Sequence, residues 1–161
     1  MKRSSKKGFT LVEILIVVII LGILAAIVIP QFTQASTEAR ISNLRTNLQT
    51  IRSQLLLYKT QHIENYPGTD FGTQMTKYTS ATGTTSTTPS SSYPYGPYLQ
   101  TIPVNPFSGS AVVRIVSGAS TTFSATADAG WWFNSTTGEF RADLTASDVH
   151  KTSDGTAFSD L

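Results

Sequence analysis

The sequence holds no cysteine, only two histidines and few charges, with 14% Asp, Glu, Lys and Arg. Without cysteine there is no disulfide framework and no thiolate metal site, so the core must form by packing alone. His62 and His150 stand far apart without metal-ligand spacing, and no G-x-S-x-G, P-loop or cysteine nucleophile occurs. Nothing therefore supports an enzyme, and both histidines read as surface residues. The charge is also unevenly spread. Lys2, Arg3, Lys6 and Lys7 supply four of the twelve basic residues within the first eight positions, leaving eight against ten acids in the rest. The body is mildly acidic, which removes the basic patch that nucleic-acid binding would want.

Against that scarcity stands one concentrated feature. Of the 21 residues Phe9 to Ile29, 16 are Phe, Leu, Ile or Val, and only Glu13 can carry a charge. As a helix this run is roughly 31 Å long, enough to cross a hydrocarbon core. The run is longer than a usual signal-peptide apolar region, so an anchor is expected. The basic start then lies in the cytoplasm, and the chain beyond the apolar run is exported. A second possibility remains, an ordinary signal peptide cut after Thr33-Gln34-Ala35, which would release a soluble binding domain starting near Ser36.

Glu13 is the anomaly in the run. A carboxylate at the centre of a spanning helix costs about 2.5 to 3.5 kcal/mol, whereas each large apolar residue contributes about −0.3 to −0.6 kcal/mol, so insertion still wins. A buried carboxylate calls for a cation. The segment offers none unless the chain is cut to expose a new α-amino group, as a cut after Gly8 would do. The alternative is a tolerated carboxylate at the membrane interface. Gly22 and Pro30 weaken the helix between them, or serve as a packing glycine and a gentle kink.

Beyond Pro30, the residues Ile41, Leu44, Leu48, Ile51, Leu55 and Tyr58 alternate three and four apart, which predicts a continuing amphipathic helix. Arg45, Arg52 and Lys59 flank this seam, with stems on apolar surface and charged ends in water. The helix is expected to stop between Gln61 and Asn65, before Tyr66-Pro67-Gly68. The low-complexity stretch Thr79 to Ser92 and the run Tyr93-Pro94-Tyr95-Gly96-Pro97-Tyr98 read as loop, the tyrosines covering the connection from helix to sheet or forming a contact patch. Strands are expected at Ala111 to Val116, Thr121 to Ala127, Gly130 to Asn134 and Glu139 to Ala142. Ser135-Thr136-Thr137-Gly138 would join the last two as a hairpin, with at least one ring of Trp131, Trp132 and Phe133 on the helix seam. The fold class is α+β, a long N-terminal α-helix with a hydrophobic first half and an amphipathic second half, packed on a small antiparallel sheet. The divisions are 1–8 leader, 9–30 hydrophobic helix, 31–65 amphipathic helix, 66–110 connecting loop, and 111–161 sheet and tail.

Lys6-Lys7-Gly8-Phe9-Thr10-Leu11-Val12-Glu13, followed by the apolar run and Pro30, closely resembles the signal of type IV pilins and type II secretion pseudopilins. The resemblance implies that a membrane prepilin peptidase removes residues 1–8 between Gly8 and Phe9 and methylates the Phe9 amine. It also implies that Glu13 pairs with that amine on a neighbouring copy during filament assembly, and that the helix unwinds locally between Gly22 and Pro30. Tyr58-Lys59, Tyr66-Pro67 and the segment Gly96 to Phe107 resemble the G-type major pseudopilin. Asn105 departs from that pattern where Asp is usual, and Phe107-Ser108 replaces Trp-Gly. The implied role is a homo-oligomeric helical filament working with an inner-membrane assembly platform and minor pseudopilins, and with no enzymatic activity. A surface type IV pilin is the near alternative. No cofactor is required, although the resemblance allows Ca²⁺ on a C-terminal loop, where Asp143, Asp148, Asp154 and Asp160 are the available acids.

Overall fold

The computed structural model describes residues 8–119, 122–124 and 129–144. It divides into two compact units, residues 1–39 and 40–161. Helix α1, Leu11–Gln61, supplies elements to both.

In the first unit the helix begins immediately after Thr10 and continues unbroken through Gly22 and Pro30. Pro30 lacks the N–H that would bond the preceding turn. Just beyond it, the Thr33 hydroxyl donates to the Ile29 carbonyl at 3.1 Å. The large apolar side chains here are exposed on every face, from Phe9 at 84% to Phe32 at 77%. A helix that is apolar all round finds its packing partners outside itself.

The second unit is organised by the seam expected from the sequence. Leu44, Leu48, Ile51, Leu55 and Tyr58 are buried, and Ile41 packs against them at the margin. At the helix end the Lys59 carbonyl accepts from the backbone N–H groups of His62 and Glu64, and Ile63 and Glu64 take left-handed backbone, φ 54° and 61°. This is the hydrogen-bonded stop in which glycine is the usual occupant.

Helix α2, Phe71–Thr76, lies within what the sequence presents as a connecting loop. Phe71 and Met75 are fully buried, the Phe71 ring lying 4.8 Å from that of Phe133. Strands β1, Tyr78–Thr79, and β2, Thr85–Ser86, form an antiparallel pair inside the Thr/Ser-rich stretch. That stretch is therefore not wholly loop: Thr79 is buried, and the Met75 carbonyl accepts from Tyr98 N and Leu99 N, both of which residues join the core.

Strands β3, Val113–Val116, β4, Trp131–Asn134, and β5, Phe140–Ala142, make the main sheet in the order β3-β4-β5. The expected hairpin joins β4 to β5 antiparallel. Asn134 Oδ1 accepts from Thr136 N and Thr137 N, and Gly138 takes φ 77°. A Cβ at Gly138 would stand 2.1 Å from the Tyr66 ring, so glycine is required there for space as well as conformation.

The β3 to β4 pair corrects the expectation of an antiparallel sheet, because it is parallel, with Val113 opposite Trp131 and Val116 opposite Asn134. Residues 117–130 separate the two strands, a crossover length and not a tight turn. Of the strand expected at Thr121 to Ala127, residues 122–124 are not strand, and the other four lie outside the described residues.

All four β4 residues are buried because both sheet faces are covered. Trp131 and Phe133 join the helix-side core, while Trp132 meets the Phe123 ring edge-on at 5.5 Å. On β5 the Phe140 carbonyl accepts from Arg52 Nε at 3.1 Å and Nη2 at 2.8 Å. Arg52 therefore fastens α1 to the sheet, where the sequence suggested a solvated edge. Lys59 pairs with Glu64 at 3.4 Å and lies over the Tyr66 ring, and Arg45 is exposed as expected.

Candidate functional site

The N-terminal residues singled out by sequence converge on one helix start. Thr10 precedes the first helical residue, and its hydroxyl accepts from Glu13 N at 3.2 Å. Glu13 Oε2 in return accepts from Thr10 N at 2.8 Å and from the Thr10 hydroxyl at 2.9 Å. This reciprocal arrangement satisfies backbone donors that a helix start leaves open. Two neutral donors on Thr10 thus hold one Glu13 oxygen, an interaction separate from the cation that the sequence reading calls for. The pattern Thr-x-x-Glu before an apolar run is the sequence mark of this cap.

Gly8 and Phe9 are exposed, and nothing lies within 4 Å of a Cβ placed on Gly8, so the Gly8–Phe9 peptide is open to an approaching protein. Gly22 likewise has nothing within 4 Å of an added Cβ, so no packing within the described residues demands a glycine there.

The other sequence candidates have structural roles. His62 is buried, which corrects the surface reading. Its Nδ1 lies 2.7 Å from the Tyr58 carbonyl, its Nε2 lies 2.9 Å from the Thr79 hydroxyl, and its ring stacks on Tyr58 at 3.7 Å. Since a carbonyl only accepts, Nδ1 carries the proton and Nε2 receives one from Thr79. Burial pushes the His62 pKa down, and burial with Tyr98 nearby pushes the Tyr58 phenol up to about 12. Tyr98 donates to Gln61 Oε1 at 2.6 Å, so this part of the tyrosine run covers the connection between helix and sheet.

Asn105 is buried and pins two segments, its Nδ2 donating to the Gly130 carbonyl at 2.7 Å and its Oδ1 accepting from Phe107 N at 2.9 Å. An aspartate would lose the donor to Gly130. Asp143 is buried against Arg114 at 3.0 Å, so its carboxylate is engaged by a guanidinium. Among the described residues no group of three or more His, Cys, Asp or Glu gathers around a metal-sized space. Asp148, Asp154, Asp160 and His150 lie outside the described residues.

The helix that starts at this cap is long and apolar enough to cross a membrane. The family model for the prokaryotic N-terminal methylation motif matches residues 3–29, the stretch that contains Gly8, Phe9, Thr10 and Glu13. The class is thus that of chains bearing an N-methylation signal on an apolar N-terminal helix. Type II secretion system core protein G of Klebsiella michiganensis is 32% identical over 111 residues, covering 68% of this chain and 73% of that protein. The Vibrio cholerae core protein G is 34% identical over 109 residues, covering 66% of this chain and 70% of that protein. The Pseudomonas aeruginosa core protein G is 40% identical over 72 residues, with 45% of this chain spanning half of that protein. The type IV major pilin of Myxococcus xanthus is 49% identical over 45 residues, 28% of this chain. No solved structure matches. The chain belongs to the type II secretion system core protein G family.

Proposed function

We propose that this chain is the structural subunit of a type II secretion pseudopilus, polymerising through its N-terminal helix to assist protein export across the outer membrane. The observation that carries the reading is the coverage of about seven tenths of two core protein G relatives together with the methylation motif at residues 3–29. In this reading the helix waits in the inner membrane with its basic end in the cytoplasm. A prepilin peptidase cuts between Gly8 and Phe9 and methylates the new amine. The Phe9 ammonium of one copy then meets the Glu13 carboxylate of another, two groups that are each costly to withdraw from water alone and tolerable together, so their pairing fixes register. Thr10 supplies Glu13 with hydrogen bonds before that partner arrives. The uniformly exposed apolar run buries against neighbouring copies, with Gly22 and Pro30 allowing the helix to loosen between them. The inner-membrane platform and minor pseudopilins complete the assembly, and the product is a periplasmic filament.

Intact mass of the purified protein tests this directly. A chain starting at Phe9 with one added methyl group is expected, whereas a start near Ser36 would replace the filament reading with a secreted soluble domain. A surface type IV pilin is favoured only by the shorter pilin matches. Deleting the gene separates the two: loss of protein export with surface pili intact is expected, and the reverse would assign a pilin.

A further inference from the structure

Between Lys77 and Arg114 the chain carries no Asp, Glu, Lys or Arg, and the stretch Thr79 to Ser92 within it is mostly serine and threonine. The structure divides those hydroxyls into two sets. In the first, the hydroxyls have tasks inside the chain. Thr79 donates to His62, Ser80 meets the hydroxyls of Thr82 at 3.0 Å and Thr84 at 2.7 Å, and Ser86 donates to the Thr88 carbonyl at 2.9 Å.

The second set lies at the tip that follows. Thr87, Thr88, Pro89, Ser90, Ser91 and Ser92 are consecutive and all exposed. The Ser90 carbonyl accepts from Tyr93 N at 3.0 Å, so Ser91 and Ser92 occupy the exposed corner of a turn. The hydroxyls of Thr87, Thr88, Ser90, Ser91 and Ser92 form no hydrogen bond among the described residues. Helix threonines such as Thr33, Thr46 and Thr50, by contrast, donate theirs to a carbonyl four residues back. The tip hydroxyls are therefore presented to the outside and hold nothing together within the chain.

A well-hydrated protein surface is about 25–35% charged, and this one has no charge at all. A Ser/Thr-rich, proline-containing exposed segment has the composition of O-glycosylated stalks, and an attached sugar supplies the bulk and hydration that the missing charges do not. The chain's Asn134-Ser135-Thr136 triplet is closed to the same modification, because Asn134 is buried and its Nδ2 donates to the Gly118 carbonyl at 3.0 Å.

We propose that Thr87, Thr88, Ser90, Ser91 and Ser92 form an acceptor site for O-linked sugar. In the transfer a hydroxyl oxygen bonds to the anomeric carbon of a glycosyl phosphate and the bond from that carbon to the phosphate oxygen breaks. The phosphate leaves with the electron pair, and the hydroxyl proton passes to a base of the transferase. The tip is exposed in the single chain, so the acceptor role does not depend on the filament.

Trypsin isolates the whole site, because residues 78–113 hold no Lys or Arg and the peptide from Tyr78 to Arg114 is released in one piece. In protein purified from the cells that naturally make it, this peptide is expected to exceed its sequence mass by whole sugar residues. Alkaline β-elimination should remove that mass and leave dehydrated Ser or Thr within residues 87–92. A peptide at its bare sequence mass overturns the proposal, as does added mass that fragmentation places outside the tip. A variant carrying Thr87→Ala, Thr88→Ala, Ser90→Ala, Ser91→Ala and Ser92→Ala should lose the added mass. Made without the modification, it should melt at the same temperature as the parent, since the replaced hydroxyls bond to nothing in the fold. Sugar retained on this peptide of the variant overturns the assignment.

Discussion

The two stretches of α1 solve opposite problems with one backbone geometry. Up to Phe32 the apolar side chains are exposed all round, whereas from Leu44 to Tyr58 most are gathered on one buried seam, with Leu56 and Leu57 exposed among the polar residues of the other faces. The second stretch packs in one cluster with aromatic rings of β4 and β5, whereas the large apolar side chains of the first are exposed. Burial of a seam stabilises a fold, while an unburied cylinder of aliphatic side chains is stable only in lipid or among copies. One helix can thus carry a folding determinant and an assembly determinant without either interfering with the other.

That division can be broken most severely at Glu13. Glu13→Val should leave membrane insertion intact and abolish or strongly reduce fibres, measured by shearing and quantifying polymer; normal fibres would show that the carboxylate is dispensable. Within the seam, Leu48→Ala should cost about 2 to 5 kcal/mol of second-unit stability in denaturant titration. Ile16→Ala should leave that stability unchanged and weaken only assembly. Equal destabilisation by both would erase the contrast.

A smaller effect is expected at the cap. Thr10→Val should destabilise the first turn by about 1 kcal/mol, seen as faster amide exchange at residues 11–14 in micelles. At the other end of the helix, Ile63→Gly relieves left-handed strain and should add about 0.5 to 1 kcal/mol to the second unit after allowing for glycine's entropy. The finest test is pH. His62 has a folded pKa below its unfolded 6.5, so the unfolded chain binds the proton first. Its contribution should be fully present above pH 6.5, decline as pH falls toward the depressed folded value, and level off below it. His62→Gln should flatten that slope.

How much of this was readable from residues alone depends on the range of the interactions. The seam and the stop after Gln61 declare themselves through spacing and breaker residues within a few positions of each other. The β4 to β5 hairpin was legible for the same reason, only residues 135–139 separating its strands. The parallel partner of β4 was not, because alternation marks a strand without naming its neighbour or its direction. Helix α2 is six residues long, too short for a period to emerge, and its anchor Phe71 meets rings of the distant β4 and β5 strands. His62 reads as polar until Thr79, seventeen residues later, is seen to receive it. At the N-terminus the motif was legible through Gly8, Phe9 and Glu13, yet the Thr10 hydrogen bonds add a role that counting charges does not disclose.

The clasp of Arg52 on the Phe140 carbonyl carries one more consequence. Identical chains crowded side by side invite their sheets to fuse strand to strand, which is how ordered assemblies decay into amyloid-like aggregates. Here an acceptor on β5, an edge strand among the described residues, is already claimed by a cation from the same molecule. An incoming strand would have to displace that guanidinium to use this carbonyl, so Arg52, which ties α1 to the sheet, also removes one rung from any strand pairing at that edge.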